Sequence, residues 1–335
     1  MSLPADFPKT DQTFSLYGKT IRSNYPVFLT ETTGKPEDIT IRFEGIFPKS
    51  TFPYPDPPVH RQWQQEGDYH ALRYFDIQGN TLQFKFYDQG KRIYISQSWP
   101  EWRDTLFYIL NPIMAAALRL SGSPVLHASS LVLRDYSFLI MGISEAGKST
   151  LSTALAYLGM VMHSDDIAAP VNSSGDPVIA PGYDRIKVNS AVCPVLGLKG
   201  NDMLPIFSTP PEDTAILEEW ITAQHFSSGF YNKPAPARAI FILDQRKENI
   251  RVPDVRLLPP VEATLSLTEH FYGRDWLSLP GEESLTYSKN LALSLPVYRV
   301  SMPDNIDLLK PSAKHILKNI IEPLAMNKAD AVQSG

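Results

Sequence analysis

The chain has 335 residues, 43% apolar and 20% charged, with a net charge of −5 and a single cysteine, Cys193. That length predicts about two domains, and the apolar share suffices for packed cores. Mild acidity without a lysine or arginine tract excludes nucleic acid as an expected partner, and one cysteine excludes a disulfide framework or a cysteine-rich zinc site.

The opening MSLPADFPKTDQ lacks the basic-then-apolar pattern of a signal peptide. The most apolar run, TLFYILNPIMAAAL at 105–118, is too short for a bilayer span of about 20 residues and contains Asn111 and Pro112. The expectation is a cytoplasmic protein without a membrane partner.

Short strands dominate the first hundred residues. DITIRFEG (38–45), ALRYFDI (71–77), TLQFKFYD (81–88) and KRIYISQ (91–97) are rich in β-branched and aromatic residues, several with alternating polarity. Turns are expected at Gly79 with Asn80 and at Gln89 with Gly90. The proline-dense KSTFPYPDPPVH (49–60) reads as a surface loop. Helical spacing of Leu106, Ile109, Leu110, Ile113, Met114 and Ala117 predicts a helix from about 101 to 120, kinked at Pro112 and stopped by Gly122. A β-rich domain over 1–120 and a second domain over 121–335 follow.

In the second part, PVLHASSLVL and FLIMG read as paired strands around the polar turn RDYS. A helix to about Leu158 capped by Gly159, a strand MVMHSDD, strands at 237–244 and 296–302, and a terminal helix over 310–325 are expected.

Between FLIM and the helix lies GISEAGKST, a match to the phosphate-binding pattern G-x-x-x-x-G-K-[ST]. Gly142 and Gly147 let successive N–H groups, including those around Ser144 and Ala146, turn toward phosphate oxygens. Lys148 supplies charge for the terminal phosphates, the Ser149 hydroxyl suits Mg²⁺, and Thr150 continues the helix start whose dipole favours an anion. With the turn at 134–137, His127 would lie opposite Ser144 at the rim of this loop. Asp165 and Asp166 come seventeen and eighteen residues after Lys148. A returning strand, parallel and adjacent, would bring both to the loop, one carboxylate for the metal and one for a hydroxyl proton.

His127, the loop and the Asp165–Asp166 pair together resemble the HPr kinase/phosphorylase family. The resemblance is closer still to HPr kinase-like proteins found beside genes for ribosomally made peptides, including the kinases that tailor lasso peptides. APGYDRIKV (180–188) is similar to their Pro-Gly-x-x-Arg segment, and the likeness covers about 121–325. It implies an α/β HPr kinase/PEP carboxykinase-like P-loop kinase domain behind a smaller β-rich α+β domain. It further implies ATP and Mg²⁺ as cofactors, and a peptide or protein partner with a serine hydroxyl. Under it Lys148 binds phosphates, Ser149 ligates the metal with support from Asp166, Asp165 is the general base and His127 positions Asp165. Asp184 and Arg185 are further contacts to phosphate or acceptor. The arginine-glycine-rich stretch of true HPr kinases is absent.

From the residues alone, Arg274 is a candidate for charge on the transferred group, with His225 and His270 in similar polar, aromatic-flanked stretches. A homo-oligomer is compatible with all of this. Two other activities remain open at this point: a kinase acting on a small-molecule hydroxyl, and a nucleotide-binding module with little transfer.

Overall fold

The computed structural model describes residues 10–27, 29, 31–32, 34–48, 60–76, 78–98, 104–143, 146–171, 177–198, 203–206, 218–277 and 281–326. Ser144 and most of the proline-dense segment lie outside them. The chain divides into two compact units: Met1–Ser123 with Gly273–Leu279, and Pro124–Tyr272 with Pro280–Gly335. The short segment 273–279, read as part of the second domain, groups with the first.

In the first unit, β1 (Gln12–Leu16), β2 (Lys19–Ser23), β3 (Ile39–Ile46), β4 (Arg61–Glu66), β5 (Tyr69–Phe75), β6 (Thr81–Tyr87) and β7 (Arg92–Gln97) form one sheet in the order β1-β2-β3-β7-β6-β5-β4. Four of these strands are those expected from alternation. β1 and β2 turn on Tyr17 and Gly18, both at positive φ, which matches the right-handed twist of a two-residue hairpin. α1 (Thr105–Tyr108) and α2 (Met114–Leu120) are joined by a π turn over Ile109–Ile113. Pro112, where a kink is expected, sits inside that turn, a π-helical interruption of the α-helical ladder of the kind that proline's missing N–H favours. Ala115, Ala116 and Ala117 are fully buried. A Cβ on Gly90 would lie 2.6 Å from the Ala117 carbonyl, so α2 packs here on bare backbone.

In the second unit the elements are β8 (Ala128–Leu133), β9 (Tyr136–Gly142), α3 (Lys148–Tyr157), β10 (Val161–Ser164), β11 (Val178–Ile179), β12 (Arg185–Asn189), α4 (Val192–Leu196), β13 (Met203–Pro205) and β14 (Glu218–Thr222). They continue as β15 (Ala235–Leu243), β16 (Asp254–Leu257), α5 (Pro260–Thr268), α6 (Gly281–Ser294), β17 (Val297–Ser301), α7 (Leu309–Ile316) and α8 (Glu322–Ala325). The main sheet runs β10-β8-β9-β15-β17-β16, and β12-β14-β13 form a second, antiparallel one. Alternation along β9 builds two cores. Phe138 and Ile140 face α3, α4, α7 and the small sheet, while Leu139 and Met141 face α5 and α6. This layered mixture of sheet and helix is the α/β architecture the sequence predicts. Among the described residues, no helix is long and apolar enough to cross a membrane.

Two expectations about the hairpin and crossover need correction. The hairpin turns on Arg134 and Asp135 alone, both at positive φ, and pairs Ala128 with Met141. His127 therefore precedes β8, level with the end of β9 rather than opposite Ser144. β10 runs parallel to β9 but is not its neighbour. It pairs antiparallel with β8, which occupies the place beside β9. Because the direction is preserved, the carboxyl ends of β9 and β10 still emerge at the same edge. The strand in parallel register with β9 is β15, with Leu243 opposite Gly142.

Candidate active site

The phosphate-binding pattern sits between β9 and α3, the context its mechanism requires. A Cβ on Gly142 would come within 3.1 Å of Ala146 Cβ and Leu243 Cβ, so a glycine here lets the loop leave the strand tight against β15 without displacing either neighbour. Gly147 stands at φ 97 immediately before α3. The Lys148 ammonium is buried and donates to the Gly142 carbonyl at 3.1 Å. Ser149 and Thr150 are half-buried in the first turn of α3.

The two aspartates have different surroundings. Asp165 is 1% exposed and uses both oxygens internally. Oδ1 accepts from Ser129 Oγ at 2.8 Å, and Oδ2 accepts from the Lys187 backbone N–H at 2.8 Å. Asp166 sits at φ 61, and Ile167 N–H donates across it to the Asp165 carbonyl at 2.8 Å. A tight three-residue turn with a non-glycine residue at positive φ is a costly conformation, held only where its surroundings over-determine it. Its effect is to turn the Asp166 carboxylate toward positive groups. Lys187 Nζ is 3.1 Å from Oδ2, and His127 Nε2 is 3.5 Å from Oδ1.

Charge follows this geometry. Burial pushes the Asp165 carboxyl up to about 6, and the neighbouring Asp166 charge adds to the rise. Burial alone would raise Asp166 too. The Lys187 ammonium, His127 and Lys148 more than offset it and hold its carboxyl well below the usual range. A proton entering the pair is therefore carried by Asp165, while Asp166 stays an anion among cations.

The resemblance implied that His127 serves Asp165; the structure instead sets His127 beside Asp166. The reason is the turn: Asp165, the residue after β10, is held inward by Ser129 and the Lys187 backbone, and only the next residue is rotated toward His127. His127 is placed by its backbone, whose N–H donates to the His270 carbonyl at 2.7 Å, and by an edge contact with the Tyr272 ring. His270 is buried and contributes that carbonyl.

The remaining candidates are dispersed. The Asp184 side chain is exposed. The Arg185 guanidinium lies over the Trp220 ring at 5.4 Å, and Tyr183 packs edge-on to the same ring. His225 is exposed at the end of a 3-10 turn. Arg274 falls within the segment that groups with the first unit. Cys193 is buried against Met203 sulfur.

Two residues that the sequence did not single out complete the site. Lys187 lies two positions after Arg185 on β12, so strand periodicity sets both on one face, and its backbone and side chain each hold one aspartate. His163, on β10 two residues before Asp165, is fully buried. Its Nε2 is 3.0 Å from the Lys233 carbonyl and its Nδ1 is 2.9 Å from Ser130 Oγ, which is 2.7 Å from Ser137 Oγ. Burial pulls its imidazole down to about 4, so it is neutral, with Nε2–H donating to the carbonyl and Nδ1 accepting from Ser130.

No family model matches the chain, and no curated protein does. Among solved structures it is similar to the HPr(Ser) kinase/phosphatase from Coxiella burnetii. The identity is 15% and the TM-score 0.32, over 59% of this chain and 98% of that one. A likeness of that extent leaves the function to be read from the residues.

Proposed function

We propose that the second unit is an ATP-dependent kinase that transfers the γ-phosphoryl group to a serine-type hydroxyl of a peptide or protein. The observation that carries this reading is the Asp166 carboxylate, turned out at φ 61 between Lys187 and His127 and within the field of the loop lysine Lys148. A nucleotide hydrolase needs one acid for its metal. A carboxylate with an adjoining imidazole is additionally suited to take the proton of an alcohol.

The residues fit a magnesium–triphosphate. Gly142 and Gly147 present bare backbone at the two ends of the loop, the start of α3 favours an anion, and Lys148 supplies a buried cation. Among the described residues, no cluster of three histidine, cysteine or acidic side chains could hold a metal alone. That suits Mg²⁺, which binds through one or two protein oxygens together with phosphates; Ser149 would provide one, which leaves the Asp166 carboxylate uncoordinated for proton transfer. When bound, the metal would neutralise charge on the phosphates.

In this reading Lys148 and Lys187 stabilise negative charge on the transferred group. Sharing those cations with phosphate oxygens weakens their hold on Asp166 and raises its proton affinity. Asp166 then accepts the acceptor's proton, oriented by His127. Asp165 fixes the turn, an assignment that exchanges the two aspartates' roles relative to the family pattern. The test is incubation with ATP, Mg²⁺, serine-containing peptides and, separately, free serine and sugars, read by mass. Phosphoserine in peptide supports the reading. Products only on small molecules would move the acceptor class, and tight ATP binding without any product would reject transfer.

A further inference from the structure

A cleft beside the phosphate loop is lined by Thr150 from α3, Arg246 just beyond β15, and Pro303, Ile306, Leu309 and Ser312 from the chain after β17. We propose that this cleft is the nucleoside subsite, taking the base and ribose of the nucleotide whose phosphates lie in the loop; the proposal rests on the nucleotide reading above and deepens it.

Three observations converge. First, the cleft shares Gly147 and Thr150 with the loop and its helix, so a ligand with its phosphates in the loop can extend into the cleft without a break. The Arg246 guanidinium lies 3.1 Å from where a Cβ on Gly147 would stand, and Asp304 is 3.9 Å from Nη1, beyond hydrogen-bond reach. Its donors are placed for phosphate or ribose oxygens, or its plane for a base.

Second, the walls are apolar where a flat heterocycle needs them. Ile306 is 42% exposed and lines the cleft together with Pro303 and Leu309. Apolar faces with a few placed polar groups are the usual make-up of a small-molecule site.

Third, Ser312 is 1% exposed, and its Oγ is buried without a hydrogen-bond partner. A buried hydroxyl left unpaired costs stability, and a ligand atom that pairs with it removes that cost. As both donor and acceptor, it suits a ring nitrogen or an exocyclic amine of a nucleobase.

The test compares MgATP with magnesium tripolyphosphate, which carries the phosphates without the nucleoside, by calorimetric titration of wild type, Ile306→Asp and Ser312→Ala. Wild type binds both. Ile306→Asp weakens ATP about tenfold or more and leaves tripolyphosphate within about twofold. Ser312→Ala weakens ATP several-fold, again sparing tripolyphosphate, and unfolds no more easily than wild type because an orphan group has been removed. If both ligands weaken together, or neither does, the cleft is not the nucleoside subsite. If wild type binds neither ligand, the nucleotide reading itself falls, and this proposal with it.

Discussion

His127 Nε2 lies 3.5 Å from Asp166 Oδ1, an approach made by a residue just before β8 to one just after β10. The antiparallel pairing of those strands creates it. An imidazole that orients a proton-accepting carboxylate contributes to the rate and little to nucleotide binding. His127→Gln is expected to lower kcat about 10- to 100-fold while the KM for ATP stays nearly constant. Steady-state kinetics check this; an effect confined to KM would place His127 in binding instead.

Lys187 holds Asp166 with its ammonium and Asp165 with its backbone. Lys187→Met leaves the backbone contact in place and removes only the charge. Transfer is expected to fall about 100-fold or more, with partial recovery in Lys187→Arg. Single-turnover rates of both variants decide it, since equal loss in the two would indicate a packing role.

His163 and Asp165 titrate in one pH range with opposite consequences. The native His163 imidazole stays neutral down to about 4, whereas the unfolded chain takes its proton near 6.5. Its contribution is full above pH 6.5 and is lost as pH falls, by about 2 kcal/mol between pH 7 and 5. Asp165 is raised to about 6, so its contribution is full below the ordinary carboxylate range and is lost as pH rises through 6. Asp166, held low, changes stability only below that window. Urea unfolding of wild type should therefore vary little between pH 7 and 5. His163→Asn should become more stable on acidification and Asp165→Asn less stable; parallel profiles would refute the opposition.

Gly90 stands at φ 84 with Ala117 backbone 2.6 Å from its missing Cβ. Gly90→Ala combines a disfavoured conformation with a clash that no rotamer relieves. A loss of at least about 2 kcal/mol in chemical unfolding is expected. A smaller loss would mean that α2 can shift.

Much of this architecture was legible because its signals are local. The strands from Ile39–Ile46 to Arg92–Gln97 and the hairpin around Arg134 show in alternation and turn residues, and the phosphate loop in fixed glycine and lysine spacing. What remained hidden depends on partners distant in sequence. β10 inserts beside β8 because the hairpin already fills the place next to β9, which no window of residues records. Lys187 reaches the aspartates from a separate sheet, 22 residues after Asp165, and a lone lysine in RIKVN carries no mark of that. Both aspartates were visible as a pair. Which one faces outward depends on a single positive φ at Asp166, a backbone choice that Asp-Asp-Ile does not announce.

The central claim is that Asp166, not Asp165, is the carboxylate at the transfer site. Its most direct measurement is the single-turnover rate of phosphoserine formation from labelled ATP in Asp166→Asn and Asp165→Asn, each at a pH where the variant is fully folded. The account predicts that Asp166→Asn lowers the rate about 100-fold or more while Asp165→Asn retains most of it. Retention of the rate in Asp166→Asn, with loss in Asp165→Asn, would contradict it.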